Sequence, residues 1–178
     1  MSGKILETNR LYLRKFTLDD IDEVVYCCND YEIHKNTLLL PYPYKEEHAR
    51  FWIEANLKAF EDAKEYSFAV IRKEDDKLIG CVGLSNDIMQ SNGELGYWFG
   101  RDYWHKGYAT EAAKAVVDWA FNEKDYHRVH ARHLIYNRPS GRVMEKIGMT
   151  FEGIQKDHVR KLNDYIDTVL YGIVKSGK

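Results

Sequence analysis

The stretch Glu94-Leu-Gly-Tyr-Trp-Phe-Gly-Arg-Asp-Tyr-Trp-His-Lys-Gly-Tyr-Ala-Thr-Glu-Ala112 decides how the rest of the chain is read. Leu95 to Phe99 reads as a strand, a short loop follows, and a helix begins at about Gly107 or Tyr108. The helix is the clearest in the chain, because Ala109, Ala112, Ala113, Val116, Val117, Ala120 and Phe121 recur at three- and four-residue steps. A strand–loop–helix junction with small residues at the turn aims unpaired backbone N–H groups at an anion, and the positive end of the helix dipole favours a phosphate there. Gly107 permits close approach of the backbone, Ala109 keeps the next turn narrow, and Lys106 adds a positive charge. Taken alone, Gly107-Tyr-Ala109 fits a ligand-free tight turn equally well. Neither Gly-x-x-x-x-Gly-Lys-Ser/Thr nor Gly-x-Gly-x-x-Gly occurs, which argues against a nucleotide triphosphatase or a dinucleotide oxidoreductase.

Working outward, Leu6 to Arg14 alternates as one strand, and Thr17 caps a helix, with Asp20 completing a capping box and Ile21, Val24, Val25 and Cys28 as its apolar stripe. A second helical region follows Tyr44 and carries Trp52, Ala55, Ala59 and Ala63 on one side. Between these helices lies Thr37-Leu-Leu-Leu-Pro-Tyr-Pro-Tyr44, an apolar and aromatic loop. Ser67 to Ile71 and Leu78 to Leu84 flank a charged turn and read as a hairpin, and Asn92-Gly93 signals a further turn. Downstream come a strand from Val129 to Ile135, a short helix opened by Pro139 and ended by Gly148, and a hairpin of Phe151 to His158 with Tyr165 to Val174. The expected class is mixed α/β (α+β): a mostly antiparallel sheet of seven strands with helices on both faces.

At 178 residues the chain is expected to form one domain, spanning 1–178, with a core that needs no staples. Lys plus Arg number 26 against 28 Asp plus Glu, a formal net charge of −2, which argues against direct nucleic-acid binding as the main affinity. No run is long and apolar enough for a membrane helix, and the N-terminus has no signal-peptide segment. Cys27, Cys28 and Cys81 offer neither a paired set nor a C-x-x-C motif. A reduced, cytoplasmic protein without a metal is expected.

Four segments carry a family resemblance. Trp104-His-Lys-Gly-Tyr-Ala-Thr110 resembles the pyrophosphate loop of the GNAT N-acetyltransferases, Gln/Arg-x-x-Gly-x-Gly/Ala, and Asn137-Arg-Pro-Ser-Gly-Arg-Val-Met-Glu-Lys-Ile-Gly-Met149 resembles a signature of their RimJ/RimL branch. Leu6 to Arg14 and Asn163 to Asp167 are similar to that branch's first strand and final hairpin. The resemblance implies a sheet whose fourth and fifth strands splay apart to admit acetyl-CoA. Tyr97, Trp98 and Phe99 would pair through their backbones with the pantetheine arm, and an amide of this strand would hold the acetyl carbonyl as it becomes an oxyanion. Trp104, His105, Lys106, Gly107, Tyr108, Ala109 and Thr110 would wrap the pyrophosphate, and Asn137 would bond the pantetheine near its sulfur.

Two positions depart from the pattern. Trp104 stands where Gln or Arg is usual, which removes a side-chain contact but leaves the main-chain N–H groups. Met144 stands where many of these enzymes place a Tyr that protonates the leaving thiolate, and Met has no proton to donate. By resemblance to the RimJ/RimL branch, Ser140 takes that role and also touches the cofactor; by itself Ser140 is simply a favoured residue near a helix start. Glu94 is the candidate base acting through water, weighed against a solvated charge at a strand end. His130 and His133 lie on opposite faces of one strand, and spacing does not select between them. The loop Thr37 to Tyr44 would line the acceptor site, with Tyr42 and Tyr44 shaping it or merely covering core; Asp30, Glu32 and Asp87 are scattered acids that would suit a cationic amine.

The expected function is acetyl transfer from acetyl-CoA, with CoA as product, to a primary amine by direct attack. A protein N-terminal amine, a polyamine and an amine-bearing antibiotic are the rival acceptors, and a catalytically silent acyl-CoA-binding module is the rival of another class. A homodimer is compatible with this reading. Should Ser140 not serve, Tyr136 is the first alternative hydroxyl.

Overall fold

The computed structural model describes residues 4–176. Among these, eight strands form one sheet in the order β1-β2-β3-β4-β5-β6-β8-β7, one more strand than the sequence predicts. The extra strand arises at the start, where Thr8 turns the chain by accepting and donating across to Leu11, so Leu6–Arg14 becomes a hairpin of β1 (Lys4–Glu7) and β2 (Leu11–Arg14). Next come α1 (Ile21–Cys28), α2 (Tyr31–Asn36) and α3 (Glu46–Glu61), then β3 (Glu65–Arg72), β4 (Leu78–Ser85) and β5 (Asn92–Phe99). The chain continues through α4 (Tyr108–Glu123), β6 (Arg128–Leu134), α5 (Arg138–Lys146), β7 (Thr150–Lys161) and β8 (Asp164–Val174).

Alternation along the strands feeds two cores. Phe68 and Val70 of β3 face α4 and α5, where Ala112, Ala113, Val116, Val117 and Ala120 are buried; Ala69 and Ile71 face α1 and α3. Burying each of the Val, Ile and Phe side chains contributes roughly 1.5–3 kcal/mol, and each Ala less, so both faces of the sheet are committed to helices. The Thr17 cap is present, and Asp20 does more than cap: its carboxylate accepts the Thr17 N–H at 2.8 Å and both Arg14 guanidinium nitrogens at 2.6 and 2.7 Å.

Three local expectations are corrected. Asn92-Gly93 is not a turn but the start of β5; the left-handed residue is Ser91 (φ 49°), and Gly93 is glycine because a Cβ there would meet Ser85 O and the Tyr126 ring at 2.6 Å. The buried side of α3 is Ala49, Ile53 and Asn56, with Trp52 beside them, whereas Ala55 is exposed and Ala63 lies beyond the helix end. The helix α2 has no counterpart in the sequence reading, since six residues with one buried side chain, Ile33, make no periodic stripe.

What positions the site is the only parallel pair among the described residues. β5 and β6 pair through Asn92↔Arg128, Gly93↔Val129 and Glu94↔His130, and no further. Beyond that point β5 stays on β4 as far as Phe99 and β6 stays on β8 as far as Leu134. The facing edges, Leu95 to Phe99 and Ala131 to Leu134, therefore part and leave backbone groups open toward each other. These are the fourth and fifth strands of the sequence-based count.

Candidate active site

The loop at the mouth of this opening is shaped by two left-handed residues, His105 (φ 60°) and Gly107 (φ 80°). The first bond that closes α4 runs from the Glu111 N–H to Gly107 O at 3.1 Å, so the N–H groups of Tyr108, Ala109 and Thr110 have no acceptor within the helix. His105, Lys106 and Gly107 are exposed, which leaves their backbone open to an anion. Trp104 is used structurally: its indole Nε1 donates to Phe99 O at 2.7 Å and its ring packs on the core. Tyr108 offers only its N–H, because its side chain is buried.

A cation does stand at this loop, supplied from far away in sequence. Arg10, in the turn between β1 and β2, donates from Nη1 to Lys106 O at 2.9 Å and from Nε to Glu111 Oε2 at 2.7 Å, and its guanidinium lies 4.5 Å above the Tyr108 ring. Its Nη2 would be 3.4 Å from a Cβ built on Gly107. Burial pushes the Glu111 carboxyl up, but hydrogen bonds from Thr8 and from the backbone and side chain of Arg10 hold it below the usual range. Sequence spacing gave no hint of this clamp, whose partners are 96 and 101 positions apart.

On the α4 side of the opening stands the start of α5. Asn137 caps it: the Ser140 N–H donates to Asn137 O at 3.1 Å and to its Oδ1 at 3.4 Å, and Pro139 occupies the first turn. Asn137 also reaches Asn36 O with its Nδ2 at 3.5 Å. Ser140 is half-buried, and its Oγ lies 2.8 Å from the Tyr97 hydroxyl. Tyr136 does not approach Ser140; its hydroxyl donates to Lys35 O at 2.8 Å. Trp98 and Phe99 turn their side chains into opposite cores, and Phe99 O already accepts from Trp104, so neither side chain reaches the opening.

On the opposite face lie Glu94, His130 and Arg132. The Glu94 carboxylate accepts from Arg132 Nε at 2.7 Å and Nη2 at 2.9 Å, and sits 3.9 Å from His130 Nε2. Glu94 is thus a partly exposed, ion-paired carboxylate beside a histidine and not a free base. Burial lowers the His130 pKa, with Arg128 and Arg132 acting in the same direction and Glu94 and Glu152 against it. His133 is excluded, being buried against α5 with Nδ1 2.8 Å from Leu134 O.

The remaining candidates fall out as follows. Tyr44 is buried core, its N–H donating to Asn29 Oδ1 at 3.0 Å, while Tyr42 is half-exposed in a ring cluster with Tyr31 and His34. Asp30 caps α2 and pairs with Arg101 at 3.6 Å, Glu32 pairs with Lys35 at 3.8 Å, and Asp87 caps the short turn before Ser91. The three cysteines are buried, and burial pushes the Cys27 thiol up to about 12, so none is a ready nucleophile.

Known proteins share this family and fold. A family model described as an acetyltransferase (GNAT) domain matches residues 10–150. The N-acetyltransferase p20 of Bacillus licheniformis, itself described as uncharacterised, is 31% identical over 172 residues, which is 96% of either chain. The crystal structure of a GNAT-family acetyltransferase from Bacillus anthracis superposes with a TM-score of 0.87 at 32% identity, over 97% of this chain and 99% of that one. RimL, a ribosomal L7/L12 alpha-N-protein acetyltransferase solved with coenzyme A, shares the fold at a TM-score of 0.88 and 16% identity, over 97% of this chain and 98% of that one.

Proposed function

Since this chain belongs to the GNAT acetyltransferases and is an N-acetyltransferase, we propose that it moves the acetyl group of acetyl-CoA to the α-amine of a protein or peptide. The observation that carries the reading is the opening between β5 and β6, with Ser140 on one face and Glu94, His130 and Arg132 on the other. The N–H groups at Tyr108 to Thr110 suit a pyrophosphate, and the unpaired edge of Leu95 to Phe99 suits an extended amide-bearing arm. In the reaction the amine nitrogen bonds to the acyl carbon and the carbon–sulfur bond breaks, its electron pair going to sulfur. An edge N–H of β5 holds the charge that builds on the acyl oxygen. Ser140 donates to the departing sulfur, whose thiol pKa near 8.5 makes a hydrogen bond sufficient help. The proton leaving nitrogen passes toward His130 or water.

The choice of acceptor rests on the base. Glu94 is held on both oxygens by Arg132, and His130, with its lowered pKa, is a weak base. An α-amine, with a pKa near 8, is about one-tenth neutral at pH 7 and needs little assistance; a lysine or polyamine amine near 10.4 is neutral to less than about 0.1%. The site therefore fits the α-amine. The low-identity likeness to RimL adds the fold alone. The buried free cysteines fit a reducing cytoplasm.

Thiol release from acetyl-CoA tests this across peptides with free N-termini, N-blocked lysine peptides, polyamines and aminoglycosides. Release with free N-termini and not with the blocked lysine peptides is expected. Faster release with a polyamine or an aminoglycoside would replace the acceptor, and tight CoA binding without release by any amine would replace the enzyme with a silent binding module.

A further inference from the structure

We propose that Tyr97 is a positioning residue for the transfer step: its hydroxyl aims the Ser140 hydroxyl into the opening between β5 and β6. The inference rests on the acetyl transfer proposed above. Leu95, Tyr97 and Phe99 alternate onto the α4 side of β5, so the Tyr97 ring packs against that core while its backbone lies on the parted edge. The ring carries the phenol across to the first turn of α5. There it meets two atoms of one residue, Ser140 O at 2.9 Å and Ser140 Oγ at 2.8 Å.

One phenolic proton cannot serve both atoms at once. When Tyr97 donates to the carbonyl, the 2.8 Å contact to Oγ is satisfied only if Ser140 donates to Tyr97, and the serine proton points away from the opening. When Tyr97 donates to Oγ instead, the serine proton is freed to point into the opening, where the sulfur of the thioester is to leave. The two arrangements differ by the rotation of two hydroxyls, and an acceptor arriving at the serine favours the second. Tyr97 acts on the serine, because both contacts of its hydroxyl are made to Ser140, and burial, which pushes its pKa up, keeps the phenol protonated in that contact. Other side chains near the serine do not supply this: Met144 is buried and has no hydrogen to give, and Tyr136 is engaged at Lys35 O.

A double-mutant cycle under saturating acetyl-CoA tests the proposal. Tyr97→Phe keeps the ring and its packing, and is expected to lower kcat about tenfold while leaving CoA affinity by calorimetry within about twofold. In a Ser140→Ala background the same substitution is expected to cost nothing further, because the group it aims is gone. A Tyr97→Phe protein that turns over at the wild-type rate overturns the proposal. So does an equal tenfold loss in the Ser140→Ala background, which would make Tyr97 independent of the serine. As a measurement that does not depend on the phenylalanine variant folding, 3-fluorotyrosine at position 97 changes the donor strength of the phenol, and kcat is expected to shift about twofold with Ser140 present and not at all in the Ser140→Ala background; an unchanged kcat, or the same shift in both backgrounds, overturns the proposal. Failure of the underlying reading looks different: the wild-type protein would then release no thiol with any amine.

Discussion

On the α4 side of the opening the site is built mostly from sequence neighbours: strand, turn and helix follow one another from Glu94 to Glu111, and Asn137 and Ser140 are three residues apart on one helix start. On the α2 side it is assembled from distant pieces. Lys161, at the end of β7, donates from Nζ to His34 O and Thr37 O, both at 2.6 Å. Tyr136 donates to Lys35 O and Asn137 to Asn36 O. Four successive carbonyls at the end of a six-residue helix are thus held by side chains from the β6–α5 turn and the β7–β8 hairpin. A helix this short does not hold itself, so the wall we propose for the acceptor depends on tertiary bonds, while the part we propose for the cofactor depends mainly on local backbone geometry. Substitutions on the first side should change CoA binding or chemistry, and those on the second should change the acceptor.

The largest effect is expected from Gly107→Glu. A residue at φ 80° loses roughly 1–2 kcal/mol when it is not glycine. The side chain has room, since the nearest atom to a Cβ there is Arg10 Nη2 at 3.4 Å, so the fold should survive. The added carboxylate would face the N–H groups meant for a pyrophosphate. CoA affinity is expected to fall by about 100-fold or more, roughly 2.7 kcal/mol, and the thermal stabilisation by CoA to vanish. Calorimetry showing unchanged CoA binding in a folded variant would contradict the assignment of the loop.

Ser140→Ala comes next and should act on rate rather than affinity. Loss of a proton donor costs about 10²–10⁴, and the lower end is expected because the leaving thiol is already acidic. The alternative is a helix-start hydroxyl worth about 1 kcal/mol of stability. Asn137 already serves as the cap of α5, which leaves the Ser140 hydroxyl free of that duty. Single-turnover rate and Tm on one preparation separate the two; a lower Tm with the wild-type rate would remove Ser140 from the chemistry.

Arg10→Ala tests the one long-range element on the cofactor side. The guanidinium is 43% exposed, so its pair with Glu111 is worth about 1 kcal/mol after screening. The variant should lose about that much stability and bind CoA several-fold more weakly, with the difference shrinking in high salt. Unaltered CoA affinity would make Arg10 a structural clamp only.

The same contrast accounts for what the sequence discloses. The strand–turn–helix around Gly107, the α4 stripe and the Asn137–Ser140 helix start are legible because each is a pattern within about a dozen residues. The α2 helix, the Arg10 clamp and the Tyr97–Ser140 contact are not, because what fixes them is a partner 40 to 130 positions away; the split of Leu6–Arg14 is local, but the turn from Thr8 back to Leu11 carries no glycine or proline to announce it. Gly93 shows the same limit: Asn-Gly is a turn signal locally, but the Tyr126 ring and Ser85 carbonyl packed over it make it a strand residue. Tyr97 was within reach, since period-two alternation from Leu95 and Phe99 already turns its side chain toward the helix side.

Lys161→Met should give the smallest effect and the one most specific to the acceptor wall. The lysine is 8% exposed, and its ammonium sits on two carbonyl oxygens at the end of α2. Methionine keeps most of the stem and removes the donors, so the acceptor KM is expected to rise a few-fold while CoA affinity stays unchanged, the reverse of Arg10→Ala. The pH dependence of stability offers a second readout. Burial lowers the Lys161 pKa, so between that lowered value and the unfolded value near 10.4 the unfolded chain binds more protons than the folded one. Stability must then rise with pH across that window by the contribution of this group, as the cost of burying its charge is relieved. Lys161→Met has no such group, so the wild-type protein should gain stability relative to the variant as pH climbs from neutral toward 10. Urea midpoints of the two proteins, compared at several pH values, give that difference with the other titrations cancelled. A gap that stays constant with pH, together with an unchanged acceptor KM, would mean that the α2 wall stands without Lys161 and that the two sides of the opening are less differently built than these bonds indicate.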